Sequence, residues 1–369
     1  MDRREHPNTT KRRKPRIRPG LFLVAAAGLL GLFAGPALAS SGAASPSAPP
    51  PPQVPVPPPG TGALKGFATE IGQNDNGMPP GIVNAPCTPA VAHPYPVVLV
   101  HGTFANENLT WQTLAPLLSD AGYCVFGLNY GANSMTTTYG DHSYGLDYIE
   151  NSAGELKGFI SDKVIPDTFE QSGNAAGYPA GSHPLKVDVV GHSQGGMMPR
   201  YLIDSTSDQR YPGLGDAAQV HTLVGLAPSN HGSAAEGLVP IFTGLFGPGV
   251  YSFPTSLGCP ACSEQEAGSA FLNALNGYSD ASGVNYYVIE TSHDEVVTPY
   301  QSAFLPATEN VENVTLQAQC PTDLTDHVGV IYDPVALQDV MAALSNNGSA
   351  ASALPRPTCP ATVLPVLSG

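Results

Sequence analysis

The stretch DVVGHSQGGMMPRYLID, Asp188 to Asp204, sets a serine between glycines directly after a short apolar run. Val187 to Val190 reads as a buried strand and the residues beyond Gly195 as a helix. Gly191-His192-Ser193-Gln194-Gly195 therefore predicts a strand, a sharp turn and a helix. The turn needs glycines because strand and helix pack closely around it, and Ser193 then stands above the sheet at the positive end of the helix. G-x-S-x-G by itself says little in a chain with 40 glycines; the strand before it and the helix after it give it weight. The competing reading is a glycine-rich turn with a capping serine.

The rest of the chain fits one parallel sheet. From Tyr95 onward, short β-branched runs alternate with amphipathic stretches, the pattern of strands joined by helical crossovers. The predicted strands are Val97 to Val100, Tyr123 to Leu128, Val187 to Val190, His221 to Leu226 and Tyr286 to Glu290, with another near Val314 to Leu316. Helical spacing predicts helices from Leu109 to Gly122, over YIENSAGELKGFISDKV, and over VALQDVMAAL. Gly237 to Phe253 is apolar, uncharged and of no single period. It is expected to cap a site rather than fill the core.

The N-terminus is set aside as an export signal covering residues 1–39. It has a basic run, an apolar core from Leu21 to Phe33 and Ala37-Leu38-Ala39 as a cleavage site. A Pro-rich linker follows at 40–63, leaving 64–369 as one catalytic domain, and no later stretch reads as a membrane span. Residues 1–39 hold eight of the 15 Lys and Arg and two of the 30 Asp and Glu, so the remainder carries 7 bases against 28 acids, −21. Such a charge argues against nucleic acid and against electrostatic docking to anionic lipid. Six cysteines in an exported chain favour three disulfides. Cys259 and Cys262 are close enough for a local loop, Cys320 with Cys359 would tie down the C-terminal tail, and Cys87 with Cys124 remain. Redox or zinc chemistry is the rival reading of CPAC, and no second ligand pair supports it.

A serine nucleophile needs a base to take its proton and N–H donors for the tetrahedral intermediate. The run VVLVHGTFAN provides the usual setting for donors, and the backbone N–H groups of Thr103 and Gln194 are the expected oxyanion hole. His101 reads as a structural residue of that loop. In chain order acid and base follow the serine. Asp294 lies four residues beyond a predicted strand, with Glu295 as its competitor and Glu290 still on the strand. His327 lies in a loop before the final helix and is the expected base.

The runs PVVLVHGTFANENLTWQTLAPLLSDAGYCVF, VVGHSQGGMMPRY, GLAPSNHGS, SHDEVVTPY and DHVGVIYDP, in this order, resemble the secreted triacylglycerol lipases of actinobacteria. These are class 2 bacterial lipases of the α/β-hydrolase fold, and the cysteine pattern also resembles the fungal lipase B type. The resemblance implies that fold, a mostly parallel sheet with helices on both faces. It also implies Ser193, Asp294 and His327 as the triad, Thr103 and Gln194 as oxyanion donors, the three disulfides as paired above, and a kink at Pro199. Phe104, Phe242 and Phe246 are the candidate substrate-binding residues. The expected activity is hydrolysis of a lipid or other ester by a secreted monomer, with no cofactor, no metal and no stable membrane insertion. Alternatives are a short-chain esterase or polyesterase, an acyltransferase to an alcohol, and an inactive binding protein.

Overall fold

A computed structural model describes residues 77–360 and 365, apart from 139–141, 171–185, 206–207, 234–257, 278–279, 281–282 and 349. The expected export signal, the Pro-rich stretch, and the Gly237 to Phe253 segment with Phe242 and Phe246 lie outside the described residues. Those described belong to one unit, residues 51–369.

Among the described residues six strands form one sheet: β1 (Val97–Val100), β2 (Val125–Leu128), β3 (Val187–His192), β4 (Val220–Leu226), β5 (Asn285–Glu290) and β6 (Val311–Thr315). Their order is β2-β1-β3-β4-β5-β6 and every pairing is parallel. Parallel strands are covered on both faces, so β1 reads as an unbroken apolar run, Val-Val-Leu-Val, buried throughout. Val98 and Val100 pack on one side with Leu156 of helix Ile149–Phe159 and Met197 of helix Gln194–Ile203. Val97 and Leu99 pack on the other with Leu118 of helix Leu114–Asp120 and Val340 of helix Pro334–Leu344. Each fully buried side chain of this kind contributes about 1.5–3 kcal/mol. This is the α/β-hydrolase architecture, and among the described residues no helix is long and apolar enough to cross a membrane.

Several elements differ from the sequence expectation: β2 begins at Val125 rather than Tyr123, and the helix expected through Val164 is a regular α-helix only over Ile149–Phe159. The helix expected from Leu109 to Gly122 is two helices, Glu107–Trp111 and Leu114–Asp120. Pro116 supplies the reason: it has no N–H to continue a helix from Gln112, yet it fits the first turn of a new one. The last strand begins at Val311 rather than near Val314, because Glu312 and Asn313 are polar residues on an edge strand. Gly122 ends its helix at φ 90°, as expected of a glycine there. Cys87–Cys124, Cys259–Cys262 and Cys320–Cys359 are all bonded, and no cysteine is free.

Candidate active site

The chain leaves β1 toward one edge of the sheet and returns at β3 on its other side. The carboxyl ends of β1 and β3 therefore flank a switch point, the usual crevice of open parallel sheets. Thr103 follows one strand and Ser193 the other.

Ser193 occupies the left-handed region, at φ 54° and ψ −121°, a conformation that costs energy unless its surroundings impose it. Here they do. A Cβ on Gly191 would run into the Gly195 carbonyl, and one on Gly195 into the carbonyls of Val100 and His101. Pro199 lies inside the helix that follows and removes the N–H that would normally bond Gly195 O. The Ser193 N–H donates to Leu226 O at 2.9 Å, pinning the turn to β4. Gln194 is the first residue of the helix, so its N–H has no intrahelical acceptor.

On the other side of the crevice, the β5 strand ends at Glu290 and a tight turn carries Asp294. Asp294 Oδ1 accepts the N–H groups of Val296 and Val297 at 2.8 and 2.7 Å, and Oδ2 accepts His327 Nδ1–H at 2.7 Å. The Thr291 hydroxyl donates to Thr325 O at 2.6 Å and ties the two loops together. Asp294 and His327 are both buried. Burial lowers the His327 pKa, but the Asp294 charge and hydrogen bond, with Glu295 and Asp326, more than offset it, so the imidazole titrates above the ordinary histidine value. The other nitrogen, Nε2, is buried without a hydrogen-bond partner among the described residues. No Ser193–His327 hydrogen bond is formed in this structure. Such bonds often tighten only when substrate is bound.

His192 joins the two sides. Its Nε2–H donates to His327 O at 2.9 Å, and the two rings lie 4.9 Å apart. Burial, then the proximity of His327, lowers its pKa to about 3, so it stays neutral and works as a fixed donor. His101 is a structural residue. It donates from Nδ1 to Gly102 O at 2.8 Å and stacks on Tyr130, and burial lowers its pKa to about 4.

The Thr103 hydroxyl donates to Gln194 Oε1 at 2.6 Å and accepts from Gln265 Nε2 at 2.9 Å. Gln265 is held in turn by the Ser229 hydroxyl at 2.8 Å. This amide and hydroxyl triangle ties together the side chains of the two residues whose N–H groups are the expected oxyanion donors. Phe104 is buried in the core at φ 63°, its N–H bonded to Tyr144 O at 2.9 Å. Glu295, the competitor for the acid, accepts the His327 backbone N–H at 3.4 Å through Oε2 and makes no hydrogen bond to the His327 ring. Burial and the Asp326 charge raise its pKa to about 7.

His192, Gln265 and Glu290 are the polar residues of the site that the motifs do not single out. His192 carries a signal, its place inside the turn. Gln265 carries none, since its partners lie 71 and 162 residues away.

A family model for class 2 lipases matches residues 182–340, a span that holds Ser193, Asp294 and His327. No curated protein matches the chain. Among solved structures it is similar to Aspergillus fumigatus lipase B, at 20% identity and TM-score 0.50, over 73% of this chain and 56% of that one. This chain thus spans little more than half the length of that relative. A carboxylesterase of Nitrososphaera gargenis matches at 16% identity and TM-score 0.38, over 68% and 90% of the two chains. A pyrethroid hydrolase from Sphingobium faniae matches at 15% and 0.39, over 69% and 98%. The chain therefore has an α/β-hydrolase fold, and the part of it that carries the serine turn and the buried Asp–His pair is similar to class 2 lipases.

Proposed function

We propose that this protein is a secreted carboxylic ester hydrolase, a triacylglycerol lipase, in which Ser193 is the nucleophile, His327 the base and Asp294 the acid that orients it. The observation that carries this reading is the His327 imidazole. One nitrogen is bonded to a buried carboxylate at 2.7 Å, and the other is buried and unpaired beside the strained serine turn. An orphan acceptor of that kind is costly unless a proton is delivered to it. Ser193 Oγ gives its proton to His327 Nε2 as it attacks the ester carbonyl. The N–H groups of Thr103 and Gln194 receive the oxyanion, and the alcohol leaves with the proton from His327. Water, activated by the same imidazole, then releases the acid. No step needs a cofactor.

Lipid preference rests on charge and apolar surface. A mature chain of −21 has no attraction for fatty acids, so affinity must come from apolar contact, for which Phe242 and Phe246 are the remaining candidates, Phe104 being packed in the core. Each buried acyl methylene adds about 0.8 kcal/mol, up to about fourfold in affinity. The three disulfides and the N-terminal signal support secretion. The test is a chain-length series of p-nitrophenyl esters plus emulsified triglyceride, with Ser193→Ala as control. Medium and long acyl chains should exceed acetate in kcat/KM, with no turnover by the control. Acetate as the best substrate would make the protein a short-chain esterase instead.

A further inference from the structure

Glu290, the last residue of β5, is fully buried within reach of the proposed acid. Its Oε1 accepts the Thr291 N–H at 2.8 Å. Its buried Oε2 meets no N–H or hydroxyl donor among the described residues, and the Asp294 carboxyl lies beside it. Two carboxyls in such contact, with no cation described between them, cannot both be ionised, and a proton must join them. Asp294 already accepts three N–H bonds, from Val296, Val297 and His327, whereas Glu290 accepts one. The proton therefore resides on Glu290.

We propose that Glu290 is a positioning residue for the Asp294–His327 pair: a neutral carboxylic acid whose O–H donates to Asp294, fixing that carboxylate's rotamer and taking up part of its charge. The proposal rests on the assignment of Asp294 and His327 given above. Burial and the Asp294 charge both push Glu290 well above the ordinary carboxyl range, in keeping with the geometry. The charged and titratable groups around the pair are few. Asp294 and Glu295 face Glu290, while Asp294, Glu295 and Asp326 face His327 from the loops and His192 faces it from the serine turn. Without the Glu290 proton, the Asp294 charge would act undivided on the imidazolium, and His327 would hold its proton to higher pH. The buried acid thus keeps the base usable near neutrality.

The deciding measurement follows the His327 imidazole by NMR in a Ser193→Ala background, where no turnover is involved, and pairs it with ester hydrolysis by the enzyme with Ser193 intact. Glu290→Gln retains a neutral donor for Asp294 and an acceptor for Thr291. It should leave the His327 midpoint within about 0.3 pH units and kcat within about threefold. Glu290→Leu removes the donor and should raise the midpoint by about half a unit or more, with kcat lowered about tenfold. A Glu290→Gln protein whose midpoint falls by about one unit or more would show that Glu290 is normally ionised, overturning the proposal. So would a Glu290→Leu protein unchanged in both readouts. If Glu290→Leu does not fold, the Glu290→Gln midpoint alone decides. Failure of the ester hydrolase reading itself would appear separately, as activity that persists in Ser193→Ala.

Discussion

The two sides of the crevice are built by different physics. Around Ser193 the side chains have been removed: Gly191, Gly195 and Gly196 sit where a Cβ would strike neighbouring atoms, so the proposed nucleophile is placed by volume. Around His327 the side chains are dense and polar. Asp294, Glu290, Glu295, Asp326 and His192 are held by hydrogen bonds and by charge. Volume fixes where the serine is, and charge fixes when the imidazole can accept its proton. Adding a side chain at a glycine on the first side should therefore threaten the fold, whereas substitutions on the second should change rate or pH dependence in a folded protein.

The comparison is tested most strongly by removing the reacting groups. Ser193→Ala and His327→Ala should each lower kcat about 10⁴-fold or more while a thermal melt shows the fold retained. Asp294→Asn should lose about tenfold less, since the carboxylate orients the imidazole. Glu295→Gln should stay within about tenfold of wild type by the same assay. A Glu295→Gln enzyme worse than Asp294→Asn would move the acid to Glu295.

A smaller and opposite kind of effect is expected on the serine side. Gly195→Ala forces a methyl into the Val100 and His101 carbonyls, and overpacking of this sort costs about 1–3 kcal/mol or more. Calorimetry should show a lowered melting temperature or no folded protein, where the carboxyl variants show neither. A stable but inactive Gly195→Ala protein would mean that the turn is looser than its packing indicates.

The smallest effect is in pH. As the proposed base His327 must be neutral to act, and its pKa lies above the ordinary imidazole value. The acidic limb of kcat/KM should therefore fall above about pH 6.5 and activity should rise through it. Stability should run the other way over the same range. Glu107 and Asp339 hold protons up to about pH 7 in the folded state because they are buried. Their contribution is complete below the unfolded carboxyl pKa and lost as pH rises through about 7. His101 and His192 act oppositely, favouring the fold above the unfolded imidazole value and losing that contribution as pH falls through about 4 and 3. Melting temperature should thus be highest on the mildly acidic side, where activity is not. Melts across pH that peak in the alkaline range would contradict this.

How much of this was legible in the sequence follows the same division. Strands buried on both faces announce themselves as apolar runs, and β1 falls at Val97–Val100 as read, with β4 and β5 each beginning one residue earlier than expected. The edge strand β6 was placed late because its polar residues break that signal. Ser193 and Asp294 stand out because each sits in a local motif just beyond a strand, and His327 because it sits in a loop before the final helix. Glu290 and Gln265 do not, because what matters about them is a buried polar partner contributed by another turn of the chain. Glu290 looks like any strand residue until its carboxyl meets Asp294, and only the folded chain brings Gln265 under Thr103 and Gln194.

The central claim is that Ser193 is a nucleophile activated by His327, and covalent labelling with a p-nitrophenyl phosphonate tests it directly. The account predicts one equivalent of label, mapped by mass spectrometry to the Ser193 peptide, and labelling slowed at least about 10³-fold in His327→Ala. Label on another residue, or equal labelling of Ser193 with and without His327, would contradict it.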